Sequence, residues 1–341
     1  METTPAYGQP DAVMLSWQVP LECGGMRADR YLALKVGRLS REKIQKLIRK
    51  GDFRSAHGPF KPSQRLKGGE HVELWRIPPD SESDAFPEPT IIVEDPNLLV
   101  LDKPAGLPIH PSARYLYRTL THWLRKQGNG VPIAHPCHRL DRETSGIILC
   151  AKSKKAESSI KTLFMNGEVS KSYIAIVEGK SPPRFLIDVP LALQGDRGLV
   201  HIRMIHDSNG LPSQTAVSSV IYDEELNRSL VVCMPRTGRQ HQIRAHLADA
   251  GYPIVGDKLY GMGDAYFDAF TKGLEPPEGA KIAHTRHALH AWKLSFYLDG
   301  VRSQMAAPLP ADFEKLLSRA VYEEATSRLS QWPSFTQANE Q

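Results

Sequence analysis

His138-Arg139-Leu140-Asp141-Arg142-Glu143-Thr144-Ser145-Gly146 sets one carboxylate among cationic side chains, just ahead of a Thr-Ser-Gly turn and the apolar run Ile147-Ile148-Leu149. Neighbouring positive charge and donated hydrogen bonds both favour the ionised form of such an aspartate. An ionised Asp141 is then available as a nucleophile or an electrostatic stabiliser. The same residues also read as an Asx-type turn before a strand. Local chemistry leaves both readings open.

Around this stretch, two apolar runs at 91–94 and 98–101 flank Asp95-Pro96-Asn97, which predicts two strands joined by a tight turn. Further β-like runs recur at 147–150, 173–177, 216–221, 230–234 and 294–298. A helix is predicted over 155–165, with Ile160, Leu163 and Phe164 inward and Asn166-Gly167 as its stop. Another follows Gly238, packs Ile243, Leu247 and Ala250, and stops at Gly251; it sets His241 and Arg244 three apart on neighbouring faces. Many strands with few, unevenly spaced helices predict an α+β body on a mixed or antiparallel sheet. The last amphipathic helix is expected after Pro310, on Phe313, Leu316, Leu317 and Val321, with a frayed tail from Trp332.

The chain has 341 residues, which suggests two domains at ~150 residues each. Its 41% hydrophobic and 24% charged residues are ordinary for a soluble globular protein. No apolar run approaches the ~20 residues that span a bilayer, so no membrane partner is expected. The N-terminus lacks the basic-then-apolar order of a signal peptide. Cys23, Cys137, Cys150 and Cys233 are scattered, which argues against disulfides and Cys-rich zinc sites and suits a reducing cytoplasm.

Net charge is +5 and uneven: residues 26–76 hold 14 Lys+Arg against 5 Asp+Glu. Such a basic segment on a near-neutral body suits a nucleic-acid-binding module, although a solvated charged face has the same composition. Residues 1–23 read as a loose arm. A short helix is expected from Arg27 to Val36 with Tyr31, Leu34 and Leu32 inward, ending at Gly37. Ser40 then caps a second helix with Ile44, Leu47 and Ile48 inward, Arg41, Lys46 and Arg49 outward, and Gly51 as its stop. Short β segments near Phe53 and at 71–74, with a Gly68-Gly69 turn, complete the unit. Residues 77–90, rich in Pro, Ser and acids, read as a linker.

Residues 24–76 resemble an S4-like RNA-binding domain. The likeness rests on Arg27-Ala28-Asp29-Arg30-Tyr31-Leu32, Leu39-Ser40-Arg41, Ile44-Gln45-Lys46-Leu47-Ile48 and the segment Lys61 to Glu70. It departs from the usual hairpin at Phe53-Arg54-Ser55-Ala56-His57-Gly58. Its Arg and Lys side chains, among them Arg41, Lys46 and Arg49, would give salt-sensitive phosphate contacts.

Residues 91–310 resemble the catalytic domain of the RluA-type pseudouridine synthases, with 311–341 as a C-terminal helix and tail. Five segments occur in that family's order: Asp95-Pro96 with Val100 to Gly106; the His-Arg-Leu-Asp stretch; Lys171-Ser172-Tyr173-Ile174-Ala175; Thr237 to Leu247 followed by Pro253-Ile254-Val255-Gly256-Asp257; and Arg286-His287-Ala288-Leu289-His290-Ala291. The resemblance implies a mixed or antiparallel-sheet fold that isomerises uridines in structured RNA to pseudouridine, with no cofactor and no metal. Asp141 matches the catalytic aspartate, which either attacks C1′ or acts at the base. Tyr173 matches the tyrosine that stacks on the target base, and Arg244 the arginine that pairs with the aspartate, a task suited to a guanidinium fork.

Arg139 resembles the side chain that fills the gap left by a flipped nucleotide, whose unstacking costs a few kcal/mol. Arg239 is expected on RNA phosphate, and His138 on RNA or in support of the loop. The expected partner is RNA, with rRNA ahead of tRNA, bound by a monomer. His135, Cys137 and His138, and likewise His284, His287 and His290, invite a metal assignment but coincide with family segments that bind none. Two other readings are weighed. One is a non-catalytic RNA-binding or ribosome-assembly factor that keeps the fold, which would predict a broken catalytic set. The other is a nucleosidase-like hydrolase, which would need a second carboxylate or a metal beside Asp141. Segment 262–283 is an insertion placed to influence substrate choice.

Overall fold

The computed structural model describes residues 5–9, 12–36, 41–77, 85–111, 115–195, 198 and 200–333. The chain divides into two units, one formed by 1–84 with 111–118 and the other by 85–110 with 119–341. The break after Asp84 falls within the 77–90 span. The expected stop at Gly37 and cap at Ser40 lie outside the described residues, as do residues 78–84 of that span.

The first unit holds β1 (Val13–Gln18), α1 (Ala28–Val36), α2 (Arg41–Arg49), β2 (Phe53–Ser55), β3 (Gly58–Pro59) and β4 (His71–Arg76). Its sheet runs β1-β4-β2-β3, antiparallel throughout. Ala28, Tyr31 and Leu32 on α1 and Ile44 and Ile48 on α2 pack on Phe53, Val72 and Leu74. Arg27 and Gln45 both bind the buried Asp29, which ties α1 to α2. The segment Phe53 to Gly58 does form a hairpin, with Ser55 opposite Gly58.

Two expectations need correction here. Residues 1–23 are not simply a loose arm, because β1 pairs with the whole of β4 and the Ala6 amide donates to Asp52 at 2.7 Å. β1 buries almost no side chain, so backbone pairing holds it and leaves no apolar alternation to read. Leu34, expected inward, is 66% exposed, since the stripe Ala28-Tyr31-Leu32 already fills the core-facing side of α1.

The second unit is built on a ten-stranded sheet. Its first members are β5 (Thr90–Glu94), β6 (Leu98–Lys103), β7 (His135–Pro136), β8 (Ser145–Ala151), β9 (Ser170–Glu178) and β10 (Arg184–Asp188). A separate pair, β11 (Leu191–Leu193) and β12 (Met204–His206), precedes β13 (Gln214–Asp223), β14 (Arg228–Pro235), β15 (Leu289–Leu298) and β16 (Val301–Ala306). The order is β10-β13-β14-β9-β15-β8-β6-β5, with β16 on β15 and β7 on β8. All of these pairs are antiparallel except β8 with β15. The mixed sheet matches the α+β expectation.

The helices are α3 (Leu120–Gln127), α4 (Lys154–Asn166), α5 (Gln242–Asp249), α6 (Asp264–Lys272) and α7 (Arg319–Ser330). α3 and α4 cover opposite faces of β6 and β8. Leu99, Leu101, Ile148 and Cys150 pack with Leu120, Trp123 and Leu124 of α3. Leu98, Val100, Ile147 and Leu149 pack with Ala156 and Ile160 of α4. Strands buried on both faces read as continuous apolar runs, as these do. Each fully buried Ile or Leu contributes roughly 1.5–3 kcal/mol. α4 begins at the Ser153 cap and ends at Gly167 with φ +75°, as Asn166-Gly167 predicted.

The C-terminal expectation also needs correction. The helix expected on Phe313, Leu316, Leu317 and Val321 is divided: a 3-10 turn over Ala311–Leu316 precedes α7. Phe313, Leu316, Ala325 and Leu329 join the core of β9 and β14, so this segment completes the catalytic body. Among the described residues no helix is long and apolar enough to cross a membrane.

Candidate active site

Asp141 lies in the loop between β7 and β8, at the strand end where β8 meets β15 in parallel, Ser145 opposite His290 and Gly146 opposite Ala291. Gly146 has φ +107°, and a Cβ there would overlap the Ala291 carbonyl oxygen. Its place in the Thr-Ser-Gly turn therefore follows from the close approach of two backbones. The loop is pinned from several sides. The Thr144 amide donates to the Asp141 carbonyl at 3.1 Å, and the Thr144 hydroxyl bonds His287 Nε2 at 2.8 Å. The buried Lys103 ammonium donates to the carbonyls of Pro104, Leu107 and Arg142 at 2.9, 3.0 and 3.1 Å. Glu143 meets the Lys258 ammonium at 3.0 Å.

Tyr173 sits on β9 between Ala291 of β15 and Cys233 of β14. Arg244 sits on α5, whose first turn follows His241 at φ +53°. A non-glycine residue in the left-handed region stores strain of order 1–3 kcal/mol and is a mark of functional sites. Asp141, Tyr173 and Arg244, distant in sequence, line one open cleft. Arg139 and Arg239 line it as well.

The charges of this cleft are ordered around Arg244. Its Nη1 donates to Asp141 Oδ2 at 2.8 Å, while Nε and Nη2 donate to Asp257 at 2.7 and 2.9 Å. Asp257 also accepts the amides of Leu259 and Tyr260, and the Tyr260 ring lies 5.1 Å from the guanidinium carbon. Burial alone would raise the Asp141 pKa, but the Arg244 guanidinium outweighs it and holds the carboxyl at about 2. Among the described residues Asp141 Oδ1 accepts no hydrogen bond, with His241 Nε2 3.7 Å away, beyond hydrogen-bonding distance. Burial lowers His241 to about 4, so its ring is neutral at pH 7 and its Nδ1 bonds the Tyr260 hydroxyl at 3.1 Å. Burial and the nearby Asp141 push the Tyr173 phenol upward, which keeps it protonated.

His138 does not share the exposure of Arg139. Its Nε2 accepts the Leu149 amide at 3.0 Å and its ring lies 4.7 Å from that of Phe164. Burial lowers its pKa to about 3, so it is a neutral acceptor that braces the loop rather than a cation for RNA. Arg41, Lys46 and Arg49 lie on the exposed side of α2, and the cleft is lined wholly by residues of the second unit.

The histidines that invited a metal assignment have other partners. His284 binds Asp312, His287 binds Thr144 and His290 binds Ser145. Among the described residues no cluster of three or more His, Cys, Asp or Glu is arranged to hold a metal ion. The sequence alone assigns no role to Asp257, Tyr260 or Lys103. Asp257 had one signal, its place after Val255-Gly256 just beyond the arginine helix.

Comparisons with known proteins find similarity to RNA pseudouridine synthases. Residues 97–249 match the family model described as RNA pseudouridylate synthase. A ribosomal large subunit pseudouridine synthase D of Neisseria meningitidis serogroup A is 33% identical over 309 residues, covering 88% of this chain and 80% of that protein. A mitochondrial tRNA pseudouridine(32) synthase of Saccharomyces cerevisiae is 37% identical over 185 residues, covering 54% of this chain and 39% of that one. Among solved structures, human RNA pseudouridylate synthase domain containing 1 aligns with TM-score 0.54 and 26% identity, over 68% of this chain and 89% of that chain.

Proposed function

The chain belongs to the RluA-type RNA pseudouridine synthases, and on that premise we propose that Asp141 is the carboxylate that drives isomerisation of a flipped uridine, most readily in ribosomal RNA. The enzyme is an isomerase. The C1′–N1 bond of the target uridine breaks, a C1′–C5 bond forms, and the C5 hydrogen is exchanged for one on N1, so the reaction is balanced without a redox partner.

The single observation that carries the reading is the Asp141–Arg244 pair at 2.8 Å in a cleft that also holds Tyr173. The guanidinium keeps the carboxylate ionised and occupies Oδ2, which leaves Oδ1 to face substrate. Tyr173, protonated and half-buried, offers a flat ring for the base and a hydroxyl donor. Arg139, exposed beside the cleft, suits the gap that the flipped nucleotide leaves in its stack. Arg239, held by its Nε on the Pro212 carbonyl, suits a phosphate.

Ribosomal RNA as the substrate rests on the names of the relatives at 33% identity and below that span most of this chain. The basic α2 face with Arg41, Lys46 and Arg49 supports a role for the first unit as an S4-like RNA-binding domain. Mapping pseudouridines in RNA from cells with and without this gene tests the proposal. Loss of one or more rRNA pseudouridines is expected. Loss confined to tRNA would reassign the substrate, and an unchanged map would overturn the proposed reaction.

A further inference from the structure

A second hollow of about 800 Å³ adjoins the cleft, sharing Arg139, Lys171, Tyr173 and Arg239 with it. One wall is the end of α4, Phe164 to Gly167, and the other is the loop after β14, Arg236 to Arg239. Arg139, Lys161, Lys171, Arg236 and Arg239 line it, and no carboxylate does among the described residues. Their local attachments leave cationic groups to spare. Arg236 uses Nη1 on the Gln214 side chain and Arg239 uses Nε on Pro212, while Lys161 shares Glu157 with Lys154. On the α4 wall Met165 is 85% exposed, the most exposed large apolar side chain among the described residues.

A cation-rich hollow with an exposed thioether on its α4 wall matches an unstacked nucleotide, whose phosphate and base face need opposite surroundings. Bases set on apolar side chains and phosphates on arginine are the recurrent pattern of single-stranded RNA recognition. We propose that this hollow is a second nucleotide subsite, which takes the nucleotide next to the target uridine with its base against Met165 and its phosphate against Arg236 and Lys161. The subsite rests on the RNA reading of the adjoining cleft. It makes substrate choice depend on a neighbour that is itself unpaired, since a stacked and paired base cannot reach the α4 wall.

The test uses full-length Met165→Glu and Arg236→Ala, with Lys155→Ala on the exposed outer side of α4 as control. Each is assayed for pseudouridine formation on total RNA from cells lacking the gene, and for filter binding of that RNA across a salt series. Both groove variants are expected to raise KM about tenfold with kcat kept, and Arg236→Ala to reduce the salt slope by about 1. The control is expected to match the wild type. Wild-type KM and salt slope in both groove variants, with an active parent enzyme, would overturn the subsite and leave the proposed reaction standing. A parent protein that forms no pseudouridine, with binding still weakened in both variants, would keep the subsite and overturn the reaction.

Discussion

Asp257 holds Arg244 by a two-pronged bond, 2.7 Å to Nε and 2.9 Å to Nη2, and so leaves Nη1 aimed at Asp141. The side chain that meets the reactive carboxylate is thereby fixed by a second carboxylate that lines no part of the cleft. Asp257→Asn keeps the shape but removes the charge that orients the guanidinium. A displacement on the scale of 1 Å costs about 10²-fold in rate. Asp257→Asn is expected to lower kcat by that order with little change in KM for RNA, measured by steady-state kinetics. An unchanged kcat would mean that Arg244 needs no such support.

Arg244→Gln removes the cation that overcomes burial at Asp141. Burial then loses its main opponent, and the carboxyl pKa is expected to rise well above about 2. Carboxyl ¹³C titration of the variant reads this directly. A resonance that still titrates near 2 would assign the charge to another partner.

The acid behaviour of stability and of activity should separate. Burial lowers His241 to about 4 and His138 and His290 to about 3 in the folded protein, against about 6.5 unfolded. Their depressed values make the unfolded chain the better proton acceptor, so stability is full above about 6.5 and falls as pH drops towards 4. Asp141, also depressed, keeps its charge over that window. Tm is therefore expected to fall from pH 6.5 to 4, while any titration of kcat per folded molecule there comes from groups other than Asp141.

Thr144→Val leaves the buried His287 Nε2 without its 2.8 Å partner. An unsatisfied buried polar group costs about 1–3 kcal/mol. Chemical denaturation is expected to show a loss in that range, together with a slower reaction, because the Thr144 hydroxyl ties the turn that carries Asp141 to His287. A loss of stability with full kcat would separate the turn from the chemistry.

Much of this was legible in the chain. Asp141, Tyr173 and Arg244 stand in segments whose order and wording pointed to one site, and the apolar runs of β6 and β8 announced strands. Other features leave weaker traces. β1 is held by backbone pairing and buries almost nothing, so no side-chain period betrays it. α3 shows Leu120, Trp123 and Leu124 at helical spacing over only two turns, too short to stand out. Asp257 is an acid whose partner lies 13 residues away on a helix, and in sequence it looks like any surface charge. His138 has cationic neighbours in sequence, while its half-buried ring accepts the Leu149 amide and packs on Phe164, the loop-supporting alternative.

The claim at the centre is that the carboxylate of Asp141 performs the chemistry while the rest of the cleft binds RNA. Asp141→Asn preserves size and tests that separation. Its single-turnover rate of pseudouridine formation on RNA from cells lacking the gene is expected to fall by on the order of 10⁴-fold, the scale seen when one member of a catalytic unit is removed, with RNA affinity retained. A variant that still forms pseudouridine at a rate near that of the wild type would contradict the account.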